Sequence, residues 1–252
     1  MLRNTFLHIP GIGKTWERRL WEQGCADWDS LLKEPGRFKL GGASLPTALR
    51  VARESKESLS EGKHQYFRKA LGLGEAWRAW PDFRLSCVYL DIETDGGYEG
   101  DSVTMVGLYD GVEFRALLKD EDIGELPDIL SRYSMIVTFY GHGFDLPMLQ
   151  RKFWGMRLDQ IHLDLCPTLK RLGFRGGLKS IEKRLGIARS DETDGLGGWD
   201  AVKLWREYQA GSRAALDVLI AYNREDVVNL ERLAEIAYGK MREATLPLGV
   251  AV

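Results

Sequence analysis

Cysteine is scarce in this chain: Cys25, Cys87 and Cys166 are the three present, an odd number with no C-x-x-C pair. This excludes a disulfide framework and a thiolate zinc site, and it fits a reducing, intracellular setting. No apolar run approaches the roughly 18 uncharged residues of a membrane span. The start, MLRNTFLHIPGIGK, lacks a basic stretch followed by a long apolar one. The expectation is a soluble, cytoplasmic protein with no membrane partner. Internal repeats and low-complexity tracts are also missing, which excludes solenoid and fibrous classes. Net charge is only −2, so the surface is not uniformly basic in the manner of a simple nucleic-acid coat protein.

What is present is an ordinary globular composition with an uneven charge distribution. Residues 1–85 hold 15 Lys and Arg against 10 Asp and Glu, whereas the remainder holds 20 against 27. A basic part beside an acidic part suits metal-assisted phosphodiester chemistry, and unevenly solvated surfaces would give the same count. The length of 252 residues accommodates one catalytic domain with an N-terminal appendage. The expected organisation is a mainly helical region with a basic connector over 1–80, a catalytic domain over 81–240 and a tail over 241–252.

The periodicities give the elements. Trp16, Leu20 and Trp21 share a helix face, Asp27 is placed to cap a short helix over Trp28–Leu32, and Leu45–Leu59 is helical. Between Glu34 and Pro81 the sequence otherwise reads as a connector that packs against something larger. Leu85–Leu90, Ser102–Tyr109 and Val112–Leu118 read as three strands of a meander, the last two joined by an Asp110-Gly111 hairpin turn. A helix over Ile123–Tyr133, a strand over Met135–Phe139, a helix over Asp145–Trp154 and a strand near Ile161–Leu163 follow. Helices over Cys166–Leu172, Leu178–Leu185, Ala201–Tyr208 and Leu216–Tyr238 complete the series, with Gly195-Leu196-Gly197-Gly198 as a flexible connection. The fold class is α/β: an antiparallel meander, then β-α-β-α, with late helices covering a mixed sheet, in outline RNase H-like.

Asp91 and Glu93 stand at i and i+2 near a strand end, so both carboxylates emerge on one face of the sheet. Such a pair can share a hard cation such as Mg²⁺ or Mn²⁺, which favours oxygen ligands, although an isolated D-x-E is ordinarily just an acidic strand end. Asp145 follows a strand at a helix start, where helix capping and metal binding are compatible roles. Tyr222 and Asp226, at i and i+4, share one helix face.

Together these motifs, Asp91-Ile92-Glu93-Thr94, Phe144-Asp145 and Tyr222-x-x-x-Asp226, resemble the DEDD exonuclease superfamily in its tyrosine-bearing subgroup. The wording DIETDG, FDLPML and YNREDVVNL is most similar to the YprB-type group of RNase H-fold proteins. There is a more distant likeness to the proofreading domain of B-family DNA polymerases. The resemblance covers residues 85–238. It implies two divalent cations, Mg²⁺ or Mn²⁺, held by Asp91, Glu93, Asp145 and Asp226, with Tyr222 and Glu93 positioning the attacking water. It also implies 3′-to-5′ cleavage of single-stranded or frayed ends, DNA in preference to RNA, in a setting such as DNA repair, with Thr94, Tyr140 and Phe144 touching the strand. RNA-directed or endonucleolytic action, and a non-catalytic nucleic-acid-binding scaffold, are the alternatives. One departure is Tyr140, where relatives usually carry Asn.

Near the N-terminus, Leu7–Leu20 looks like a helix-hairpin-helix motif within about residues 6–32. The resemblance implies that Gly11 and Gly13 let backbone N–H groups approach a phosphate and that Lys14 adds charge; a small packing or protein-docking module is the other reading. His142 and His162 read as polar contacts, Asp164 as a helix cap, and most of the eight tryptophans, Trp199 among those able to stack a base, as packing residues.

Overall fold

The alternation of apolar residues over 87–94 places the centre of the sheet. In the computed structural model, which describes residues 1–193 and 195–247, β1 (Cys87–Thr94) sends Val88, Leu90 and Ile92 into one apolar cluster and Cys87 and Tyr89 into another. β2 (Val103–Tyr109) and β3 (Phe114–Leu118) extend the sheet antiparallel on one side. β4 (Met135–Thr138) and β5 (Ile161–Asp164) extend it in parallel on the other, giving the order β3-β2-β1-β4-β5. The expected mixed sheet, meander first and β-α-β-α after, is the one observed.

Parallel neighbours require crossovers, and helices supply them. α6 (Leu126–Leu130) and α7 (Asp145–Lys152) share the cluster of Val88, Leu90 and Ile92 through Leu126, Ile129, Met148 and Leu149. α8 (Leu165–Arg171), α9 (Leu178–Leu185) and α10 (Gly198–Gln209) lead to α11 (Arg213–Thr245). This last helix, 33 residues and about 50 Å long, joins Cys87, Tyr89, Met135 and Val137 through Val227, Leu230, Leu233 and Ala234.

The first part of the chain forms α1 (Lys14–Glu22), α2 (Trp28–Lys33), α3 (Leu45–Ser60) and α4 (His64–Ala70), then a 3₁₀ turn over Leu73–Ala79 and α5 (Trp80–Phe83). Trp28 stacks on Phe67 with centroids 6.2 Å apart, and Trp77 and Trp80 pack on Tyr238 of α11 at 6.1 and 5.9 Å. The segment expected as a connector is therefore mostly helical and shares one core cluster with the sheet and α11. A buried ion pair joins α1 to the 3₁₀ turn: Arg78 Nη2 lies 2.9 Å from Glu17 Oε2, and its Nε donates to Glu75 at 2.8 Å. Glu17 Oε1 also accepts from Thr5 Oγ1 at 2.7 Å and the Phe6 N–H at 2.8 Å.

Local chemistry moves several boundaries. Asp110 Oδ1 accepts from the N–H groups of Val112 and Glu113, both at 2.9 Å, an Asx turn that lengthens the expected two-residue hairpin and delays β3 to Phe114. The helix expected over Ile123–Tyr133 is a 3₁₀ turn followed by the short α6. Gly197, expected in a flexible connection, caps α10, its N–H donating to Asp200 Oδ2 at 3.0 Å. α11 continues past Tyr238 into the expected tail, of which residues 248–252 lie outside the described residues. Among the described residues no helix is long and apolar enough to cross a membrane.

Glu17 and Arg78 are each 1% exposed, so removing one partner strands the other charge in the interior. Arg78→Met is expected to destabilise the protein by about 3–5 kcal/mol in urea denaturation, with Glu17→Gln/Arg78→Met, which removes the stranded charge but keeps an acceptor for Thr5 and Phe6, recovering part of that loss.

Candidate active site

The site forms where α11 crosses the central strands, and a glycine permits the crossing. Asp91 pairs in register with Gly107 of β2. A Cβ at position 107 would fall 1.7 Å from Asn223 Oδ1 and 2.9 Å from Val227, so only glycine allows this approach. Asn223 thereby reaches the strand, its Nδ2 donating to Asp91 Oδ2 at 3.0 Å and to Glu93 Oε1 at 3.1 Å. Within one further helical turn Asp226 completes a cluster: one carboxylate oxygen each from Asp91, Glu93 and Asp226 lie within 4.8 Å of one another.

Asp91, Glu93, Thr94, Phe144, Tyr222 and Asp226 line one cavity of about 420 Å³, together with Tyr98, Trp199 and Val202. Asp145 is buried in the first turn of α7 and is not one of the three converging ligands. It was expected to cap α7, but Phe144 occupies the cap position. The carboxylate organising this turn is Asp164 at the end of β5, which accepts from the N–H groups of Tyr140 at 2.8 Å and His142 at 3.1 Å. Asp164 also caps α8 through Cys166 N–H at 3.0 Å.

Several expected contact residues lie outside this cavity. Tyr140 has φ of +69°, is exposed, and does not line it. Gly11, Gly13 and Lys14 are equally absent from its lining. Among the described residues the hairpin is followed by α1 and preceded by turns, not by a helix. The reason is local: residues 1–13 form turns, and Gly11, at φ +91°, packs on a second loop, where a Cβ would meet Gly42 C at 2.6 Å. Lys14 is paired with Glu75 at 3.1 Å. His162 is held neutral by burial, its pKa lowered to about 4, and contacts Thr138 Oγ1 at 2.9 Å.

Electrostatics set the character of the cluster. Burial, then the charges of Asp145, Glu93 and Asp226, raises Asp91 well above the usual carboxylate range. Burial and the Asp226 charge push Glu93 up to about 8, against the Asn223 hydrogen bond. Burial lifts Asp145 to about 7, opposed by backbone hydrogen bonds from its own N–H and that of Ile92. Asp226 is raised by burial and pulled back by Arg189 and Lys179. Tyr222, raised by burial and by Asp226 and Glu93, stays a neutral phenol.

Two cations that the sequence reading overlooked face this charge. Arg189 Nη2 is 2.5 Å from Asp226 Oδ1, and Lys179 Nζ sits 4.0 Å from the Tyr222 ring centroid. Asn223 was overlooked as well, although its spacing of three from Asp226 places it on the same helix face. An all-oxygen donor set with an excess of buried negative charge fits a hard divalent cation.

A model of the RNase_H superfamily matches residues 88–238. The chain belongs to the RNase_H superfamily. Among solved structures, it is similar to the family B DNA polymerase of the hyperthermophilic archaeon Pyrobaculum calidifontis, with TM-score 0.50 and 17% identity over 60% of this chain and 24% of the polymerase. Brucella melitensis NrnC bound to pGG gives TM-score 0.45 and 21% identity over 66% of this chain and 78% of NrnC. A nuclease in apo form gives 0.47 and 19% over 69% and 80%. No curated protein matches the chain in sequence. Membership in the RNase_H superfamily thus rests on the 88–238 match, and the polymerase likeness agrees with it in fold.

The raised carboxylates generate a pH test. Glu93 at about 8 and Asp145 at about 7 exceed their ordinary 4.5 and 3.8, so the folded chain retains protons that the unfolded chain has released. Metal-free stability should therefore fall as pH rises from about 4.5 to 8. Thermal unfolding in EDTA should show this decline, and Mg²⁺ should raise the Tm more at pH 8 than at pH 6.

Proposed function

We propose that this member of the RNase_H superfamily is a divalent-metal-dependent 3′-to-5′ exonuclease of the tyrosine-bearing DEDD subgroup and YprB type, acting on single-stranded or frayed nucleic-acid ends, with DNA as the expected polymer. The observation that carries this reading is the convergence of Asp91, Glu93 and Asp226 beneath a cavity that Tyr222 also lines. Asp91, Glu93 and Asp226 would hold the first cation, and Asp145, adjoining Asp91, would support a second. When bound, Mg²⁺ or Mn²⁺ supplies the charge stabilisation that a phosphodiester needs among carboxylates.

The chain's own residues do the remaining work. Asn223 holds the Asp91 and Glu93 carboxylates in fixed orientation through its two donated hydrogen bonds. Tyr222, kept as a phenol beside Glu93 and Asp226, is suited to donate a hydrogen bond to a water between them. Lys179, which packs its ammonium over the Tyr222 ring, adds positive charge near Asp226 and Glu93 without lining the cavity. The rim suits an unpaired strand: Tyr98 is 75% exposed and Trp199 71% exposed, and both line the cavity with Phe144. Exposed aromatic faces stack bases without reading their identity, and a volume near 420 Å³ is within the range of small-ligand sites.

An end-labelled oligonucleotide in Mg²⁺ or Mn²⁺, prepared as DNA and as RNA, checks this directly. The expected outcome is stepwise release of mononucleotides from the 3′ end, stopped by EDTA. Asp91→Asn and Asp226→Asn should lower turnover by roughly 10²- to 10³-fold, and Tyr222→Phe should slow it without abolishing it. Full activity in Asp226→Asn, or products cut internally, would overturn the assignment.

The rim makes a separate prediction. Trp199→Ala should raise KM for single-stranded ends by about tenfold with a smaller change in kcat, as read in steady-state kinetics. Trp199→Phe should stay near the parent protein.

A further inference from the structure

Arg189 and Glu182 have no role in the reading above, yet they are deeply buried charges beside its carboxylates: their side chains are 6% and 1% exposed. Arg189 Nε donates to Glu182 Oε2 at 2.7 Å, while Arg189 Nη2 lies 2.5 Å from Asp226 Oδ1. The other Glu182 oxygen accepts from Asn229 Nδ2 at 2.9 Å. Asn229 lies on α11 within one turn of Asp226, so the contacts close a ring that leaves α11 at Asp226 and returns to it at Asn229. The adjoining loop is fastened to the same helix, with the Ser190 N–H donating to Glu225 Oε1 at 2.9 Å and Thr193 Oγ1 donating to Glu225 Oε2.

A buried ion pair contributes little net stability compared with apolar residues of similar volume, so stability alone is a weak reason for this ring. Geometry is a stronger one. A carboxylate at the end of a helical side chain rotates about its last bond, and a ligand oxygen that wanders loses affinity for its cation. The planar guanidinium is rigid; with Nε committed to Glu182, Nη2 is held against Asp226 Oδ1 as a close charge contact and not as an aligned hydrogen bond. Glu182 offsets the Arg189 charge, so the pair orients Asp226 without adding a full positive charge next to a cation site.

We infer that Arg189, clamped by Glu182, which Asn229 holds in turn, is a positioning residue that holds Asp226 in the orientation needed to bind a divalent cation. The inference rests on the metal-dependent reading proposed above. Polar partners behind metal ligands characteristically control affinity by about 10- to 100-fold.

Calorimetric titration of the full chain with Mn²⁺ tests this apart from turnover. Glu182→Leu/Arg189→Met removes both charges together, and Arg189→Lys keeps the charge but loses the fork. Both are expected to unfold cooperatively in EDTA and to bind Mn²⁺ more weakly, the paired variant by about 10- to 100-fold. Mn²⁺ affinity within twofold of the parent in a folded variant overturns the inference. So does tighter binding, which would mark Arg189 as a competing cation. If the paired variant does not fold, Arg189→Lys decides on the same criteria. Absence of Mn²⁺ uptake by the parent protein would remove the metal-dependent reading together with this inference, whereas parent uptake with an unaltered variant removes the inference alone.

Discussion

Buried like charge is the constraint on which the rest of this structure depends. Asp91, Glu93 and Asp226 converge, with Asp91 half-buried and Glu93 and Asp226 buried, and buried Asp145 adds its charge beside Asp91, so each ionised carboxylate opposes the next and burial opposes them all. Such a group does not assemble by its own attraction; the scaffold must hold it. Its elevated carboxyl pKa values are the signature of that opposition, which a bound divalent cation would relieve. Asn223 donates to two members at once and Arg189 contacts a third, so the scaffold supplies part of the compensation itself.

The holding is done by rigid elements. β1 is the central strand, paired on both sides, which fixes Asp91 and Glu93 relative to the whole sheet. α11 brings Tyr222, Asn223 and Asp226 on one continuous helix, and its closeness depends on the missing side chain at Gly107. The same helix is gripped about three turns further on, where Trp77 and Trp80 pack against Tyr238. The N-terminal helices are thus connected physically to the site: through the Glu17–Arg78 pair they brace the turn that carries Trp77, and Trp77 braces α11.

Much of this was legible in the sequence because it is written in short-range periodicity. A spacing of two puts Asp91 and Glu93 on one face, a spacing of four puts Tyr222 and Asp226 on one helix stripe, and alternation marks the meander. The mixed sheet followed from the order of those elements. Interactions across long sequence separations were not legible. Nothing local to Arg189 announces that it meets Asp226, or that Glu182 lies behind it, because the meeting depends on how the loop between α9 and α10 folds back on α11. Asn223 is an intermediate case, readable from its spacing to Asp226 but overshadowed by the motif residues on either side. The hairpin near Gly11 shows the converse: a local pattern resembled a known motif, yet among the described residues turns, not a helix, precede it.

Tyr140 joins the resemblance to the physics. Its φ of +69° lies in the left-handed region, which Asn enters readily and a bulky residue rarely does. An Asn at this position in relatives therefore has a backbone explanation that does not require contact with substrate. Here the turn holds Tyr in this conformation, because Asp164 takes the N–H groups on both sides of Gly141 and Thr138 Oγ1 accepts the Gly141 N–H at 3.2 Å. The surroundings over-determine the turn, while Asp145, five residues on, accepts from the Ile92 N–H of the central strand. Tyr140 thus bears on the strain of one turn, whereas the converging carboxylates come from β1 and α11.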